Sequence, residues 1–125
     1  CAVALKNLEI MHDEQLVERA ARLGVRLAER LQSLTGLDGV GHVRSLGLIG
    51  AVEIVADQAT KALYPPEAQM ASRLTDAMLE RGLLTRVALD CICIAPPLVI
   101  SEAQLDRVVE IIADAVPAAL AAATS

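Results

Sequence analysis

The sequence predicts an α+β domain in two layers, with a small, mainly antiparallel sheet carrying helices on one face. Three observations predict it. Apolar residues recur at steps of three and four over long stretches, the period of amphipathic helices. Short β-branched runs lie between glycines and prolines, the punctuation of strands. The order is helix, helix, strand, strand, helix, hairpin, helix, so the strands come in pairs instead of alternating singly with helices. A chain of 125 residues suits one domain with one core, and residues 1-125 are read as such.

Val3, Leu5, Leu8 and Met11 stand at near-helical spacing and predict a first helix over Ala2 to Met11. Asp13 is placed to cap a second, with Glu14 in its first turn favoured by the helix dipole. Leu16, Ala20, Leu23, Leu27, Leu31 and Leu34 form the buried stripe of that helix, and Gly36 is a natural stop. Val43 to Leu46 and Leu48 to Val55 read as strands, the second covered on both faces because it is apolar at nearly every position. Gly47 between them allows a bulge or the close approach of another backbone.

Asp57 to Tyr64 is a polar connection, and Pro65-Pro66 precedes a third helix with Met70, Leu74, Ala77 and Met78 inward, ended by Gly82. Leu84 to Val87 and Cys91 to Ile94 predict a hairpin around a three-residue loop, Ala88-Leu89-Asp90. Pro96-Pro97 ends the pairing. Ser101 and Gln104 have the spacing of a capping box, opening a last helix with Leu105, Val108, Val109 and Ile112 inward. Pro117 should kink or end it, leaving Ala118 to Ser125 as a weak tail.

Composition narrows the function. Hydrophobic residues make up 54% and mean hydropathy is +0.48, yet the chain has one Tyr and no Trp or Phe. A core of small aliphatic residues, with apolar surface left for a partner to cover, fits those figures. Net charge is −5, with no basic stripe and no aromatic platform, which argues against nucleic acid. No unbroken apolar run approaches the roughly 18 residues of a membrane span. The start lacks a basic leader and an initiator Met, and it opens in mid-pattern, as a piece of a longer chain would. Three cysteines give no disulfide framework and fit a cytoplasmic setting.

Several strings then carry a resemblance. Ala2-Val3-Ala4-Leu5 with Leu8-Glu9-Ile10, Val43-Arg44-Ser45-Leu46-Gly47-Leu48-Ile49-Gly50-Ala51-Val52-Glu53, Arg81-Gly82-Leu83-Leu84-Thr85-Arg86 and Ala95-Pro96-Pro97-Leu98-Val99-Ile100-Ser101-Glu102 occur in order. Together they resemble the C-terminal small domain of class III aminotransferases, on the omega-amino acid:pyruvate side of the family; Ser45 replaces a usual glycine. The resemblance implies a fold type I parent that moves an amino group from an amine or omega-amino acid to a keto acid such as pyruvate. It implies pyridoxal 5'-phosphate on a lysine of a large domain upstream, a homodimer, and residues 1-13 as part of the inter-domain helix. Lys6 and Lys61 do not match the family's lysine and read as solvated charge, so no catalytic or cofactor-binding residue is assigned here.

Arg86 is the candidate site residue. Its bland reading is a surface arginine on an edge strand. Its functional reading, implied by the resemblance, is a guanidinium that grips a substrate carboxylate through two parallel charge-assisted hydrogen bonds and swings away when the amine has none. In the ornithine and 4-aminobutyrate branches an arginine often stands three residues before the Pro-Pro pair; here Cys93 does. Arg44 also matches a family arginine and reads as structural, tying a strand to a helix end or to the large domain. Cys91-Ile92-Cys93 with His42 or His12 could imitate a metal set, but one intervening residue is short for structural zinc, and buried reduced thiols fit better. The glycines at 36, 39, 41, 47 and 50 do not open a helix after a strand as a phosphate loop would. The rival to an aminotransferase lobe is a stand-alone, non-catalytic α+β binding or dimerisation module, and the reading frame upstream of Cys1 separates the two.

Overall fold

The structure is a computed structural model that describes residues 1–123. Four antiparallel strands form one open sheet in the order β1-β2-β4-β3: β1 is Val40–Leu46, β2 Ile49–Ile54, β3 Arg86–Ala88 and β4 Cys91–Ile94. Four α-helices accompany it: α1 is Ala2–Asp13, α2 Leu16–Gln32, α3 Met70–Glu80 and α4 Glu102–Ala123, with short 3-10 turns at Ser33–Gly36 and Pro66–Ala68. The two-layer α+β expectation holds.

The helical period decides what is buried. Leu23, Leu27 and Leu31 of α2 meet Leu74 and Met78 of α3, Leu105 and Ile112 of α4, and the inward residues Val52, Ile54, Ile92 and Ile94 of the sheet in one cluster. Alternation along the strands places Val43, Gly50, Val52, Ile92 and Ile94 toward the helices and Arg44, Ala51, Glu53, Cys91 and Cys93 on the other face. The expected double-sided cover of β2 is therefore not found: Ala51 and Glu53 are half-buried, and Ile49 is 63% exposed.

Gly47 supplies the close approach anticipated for it. It sits at φ +54 in the two-residue turn that joins Leu46 to Ile49. A Cβ on Gly24 of α2 would lie 2.6 Å from the Gly47 carbonyl carbon, so the helix rests directly on the turn. The irregularity in the ladder falls elsewhere, between Val40 and His42.

Local chemistry corrects the sequence reading in three places. Asp13 does not cap α2; it closes α1, and Gln15, at φ 49, precedes α2 instead. The β3–β4 hairpin turns on two residues, not three, because Leu89 adopts φ 54 and lets Ala88 pair with Cys91. Pro117 does not end α4, which runs on to Ala123. Tertiary packing overrides the proline: Ala119 is buried, Leu120 packs over Gly39, and Arg73 donates to the Ala122 carbonyl, so the alanine-rich turn beyond Pro117 stays helical. The last two residues of the anticipated tail, 124–125, lie outside the described residues. The Ser101–Gln104 capping box forms as expected, with the Gln104 N–H donating to Ser101 Oγ at 3.2 Å and the Ser101 N–H to Gln104 Oε1 at 3.0 Å.

Candidate functional site

Arg86 opens the edge strand β3, pairs with Cys93 in register, and is exposed on the outer face of the sheet. Its backbone is held by the residues before and after it: Val87 and Ala88 pair with Ile92 and Cys91, and the Thr85 hydroxyl donates to the Cys93 carbonyl. The base of the side chain is thus fixed, while its guanidinium has no hydrogen bond or ion pair among the described residues.

That freedom contrasts with the other arginines. Arg26 holds Asp106 in a two-pronged pair, Nε to Oδ1 at 2.9 Å and Nη2 to Oδ2 at 2.6 Å. Arg19 donates to the Ile100 carbonyl at 2.6 Å, Arg73 to that of Ala68 at 2.8 Å, and Arg81 to that of Ala77 at 2.7 Å. Arg30 reaches Asp106 and Glu110, and Arg107 reaches Glu110. Arg22 is the one other arginine whose side chain has no partner among the described residues, but it stands on the exposed side of α2, away from the sheet's outer face.

The floor beside Arg86 is built of small side chains. Reading across the strands, Arg44, Ala51, Cys93 and Arg86 are successive register partners; the next row holds His42, Glu53, Cys91 and Ala88. Leu46 and Ile49 extend this face at the turn, 84% and 63% exposed. Arg44 Nη2 lies 2.6 Å from Glu53 Oε1 on the neighbouring strand, so Arg44 does tie the structure together, but its partner is a strand glutamate and not a helix end. Sequence reasoning does not single out Glu53. The parity of β2, which puts Glu53 on the same side as Ala51, is the signal that could find it.

Cys91 and Cys93 are half-buried rather than buried. Burial pushes the Cys91 thiol up, and the nearby Cys93 adds to this; the Arg44 side chain opposes it by hydrogen bonding to the thiol. Cys91 therefore favours the neutral thiol over the thiolate. Among the described residues no group of three His, Cys, Asp or Glu is placed to hold a metal ion, and the set of Cys91, Cys93 and a histidine is not assembled.

Comparison with known proteins now decides the family. The sequence matches aminotransferase class-III over residues 1–116. The chain belongs to that family. It is 38% identical over 116 residues to the adenosylmethionine-8-amino-7-oxononanoate aminotransferase of Anoxybacillus flavithermus, a stretch covering 93% of this chain and 26% of that protein. It is similar in structure to a thermostable (S)-enantioselective omega-transaminase from Thermomicrobium roseum, with a TM-score of 0.92 and 42% identity over 96% of this chain and 27% of that one. A thermostable omega transaminase mutant from Pseudomonas jessenii gives a TM-score of 0.92 at 35% identity, covering 99% of this chain and 28% of its own. This class III aminotransferase domain thus spans about a quarter of the length of the relatives it matches.

Class III aminotransferases are pyridoxal-phosphate enzymes, and the residues present here do not fit that group. A lysine that carries the cofactor needs a desolvated pocket. Lys6 is exposed and paired with Glu9 at 3.1 Å, and Lys61 is exposed and donates to the Gly41 carbonyl at 2.9 Å. What this domain offers chemically is a free guanidinium on an uncovered sheet face.

Proposed function

We propose that this domain is the C-terminal lobe of a pyridoxal-phosphate-dependent aminotransferase, and that Arg86 binds the carboxylate of its substrates. The parent would transfer an amino group from an amine or omega-amino acid to a keto acid such as pyruvate. The observation that carries the reading is the state of Arg86: its backbone is anchored by its neighbours on the ladder while its guanidinium is free on the face where the sheet has no helix. A fork-shaped cation of that kind, on a floor of alanine and cysteine, suits a planar carboxylate better than a lysine would.

The lobe arrangement rests on the uncovered surfaces. No residue of α1 is buried, and Val3, Leu5 and Leu8 are exposed there. A large domain of the same polypeptide, holding the cofactor on its lysine, would cover α1 and the outer sheet face, with residues 1-13 serving as part of the inter-domain helix. The parent would work as a cytoplasmic homodimer. No helix among the described residues is long and apolar enough to cross a membrane.

The test is made in the full-length enzyme. Arg86→Ala should lower kcat/KM for pyruvate by the equivalent of about 1.5–3 kcal/mol, the scale of a charge-assisted pair, and leave a simple alkylamine donor much less affected. Equal losses for both substrates would remove Arg86 from the carboxylate role.

A further inference from the structure

Two guanidiniums stand on the outer face of the sheet, and among the described residues only Arg44 has a counter-ion there. Arg44 and Arg86 lie at opposite ends of one cross-strand row, separated by Ala51 and Cys93. Strands about 4.8 Å apart place their Cα atoms roughly 14 Å from each other. Glu53 occupies the adjacent row, between His42 and Cys91, and is the one carboxylate in any of the four strands. Two strand spacings and one two-residue step along the ladder separate it from Arg86, roughly 12 Å between Cα atoms. An extended arginine and a glutamate can bridge that span, and the side chains between them, Cys91, Cys93 and Ala88, are too small to block the path.

Glu53 does not take that option in this structure, because its Oε1 is held by Arg44 Nη2 at 2.6 Å. In this domain by itself the pair is partly exposed, with the Arg44 side chain at 54% and that of Glu53 at 37%.

We infer that Arg44 is a positioning residue for Arg86: by occupying Glu53 it keeps the domain's own carboxylate off Arg86 and leaves that guanidinium free for a substrate. The inference rests on the carboxylate role proposed above for Arg86. Without Arg44, Glu53 becomes an internal competitor on the same face, always present and needing no diffusion. Its effect falls on steps that need a substrate carboxylate and spares those that do not.

The experiment compares variants of the full-length enzyme, loaded with pyridoxal phosphate, on pyruvate and on a primary alkylamine. Arg44→Met keeps the apolar stem and removes the charge. It should raise KM for pyruvate about three- to fivefold, the range of a partly exposed ion pair, with kcat and the amine KM unchanged. Arg44→Lys should restore most of the loss, and so should Glu53→Gln placed in the Arg44→Met background. A crystal structure of Arg44→Met should show a Glu53 oxygen within salt-bridge reach of Arg86. If Arg86→Ala is selective for pyruvate but Arg44→Met affects both substrates alike, or Glu53→Gln fails to reverse its effect, the inference is overturned and the carboxylate reading stands. If Arg86→Ala itself shows no selectivity, the carboxylate reading fails and takes the inference with it.

Discussion

Val52 and Ile92 have no exposed surface, whereas Ala51, Glu53, Cys91 and Cys93, one residue away on the same two strands, are half-buried. The inner face of the sheet is closed by large aliphatic side chains from three helices, and its contacts are of the kind that decide stability. The outer face has small side chains, exposed Leu46 and Ile49, one ion pair and one arginine without a partner among the described residues. The same backbone ladder thus serves two purposes. One face holds the domain together, and the other, left open, is the face proposed above to meet the second lobe and the substrate.

Truncating one residue on each face should have very unequal effects. Leu27 is fully buried at the centre of the cluster. Leu27→Ala should destabilise the chain by about 2–5 kcal/mol in urea unfolding, through lost transfer energy and the cavity left behind. Ile49→Ser on the outer face should stay within about 0.5 kcal/mol, because its side chain is already in water. A large loss at Ile49 would mean that the outer face contributes to the fold and is not reserved for a partner.

A smaller effect sharpens how the inner layer is held. Alanine is ordinarily favoured over glycine in a helix by about 1 kcal/mol. At Gly24 the new methyl would strike the backbone of Gly47 at 2.6 Å, and a backbone cannot swing aside as a side chain can. Gly24→Ala should therefore destabilise by about 1–3 kcal/mol despite its better propensity. A gain in stability would show that α2 can lift off the β1–β2 turn without cost.

Much of this division is visible in the sequence, and the part that is not has a physical reason. The stripe from Leu16 to Leu34 and the inward set Met70, Leu74, Ala77 and Met78 follow from period alone, since a helix repeats regardless of its neighbours. Membership of the family rests on short ordered strings. Register is another matter. A three-residue loop at Ala88-Leu89-Asp90 would set Val87 beside Cys91 and Arg86 beside Ile92. The observed two-residue turn sets Arg86 beside Cys93, on the open face. A single left-handed Leu89 makes that difference, and a slip of one residue exchanges the faces of a strand. Glu53 is hidden for the same reason: an apolar run looks covered on both sides until the sheet shows which side has a helix. Pro117 misleads because its local penalty is real but smaller than the packing of Ala119 and Leu120 beyond it.

The smallest expected effect concerns the ion pairs of the two regions. On the helical side Asp106 sits below the ordinary carboxylate range, first because Arg26 hydrogen-bonds to it and then through the charges of Arg26 and Arg30, against some desolvation. Asp57 is also lowered, by the Thr60 and Ala59 N–H groups that donate to it. A carboxyl whose folded value is depressed stabilises the fold fully above its unfolded value, near pH 4, and loses that contribution as pH falls through the folded value. Acidification from about pH 5 to pH 3 should therefore lower the urea midpoint, and Asp106→Asn should make that fall shallower by removing one titrating site. Asp106 stands on α4, off the outer face, so under the carboxylate role proposed for Arg86 an Asp106→Asn variant of the full-length enzyme should keep its relative KM for pyruvate and alkylamine at neutral pH. A shift in that ratio would mean the α2–α4 ion pairs communicate with Arg86, and the two faces of the sheet would no longer be separable in function.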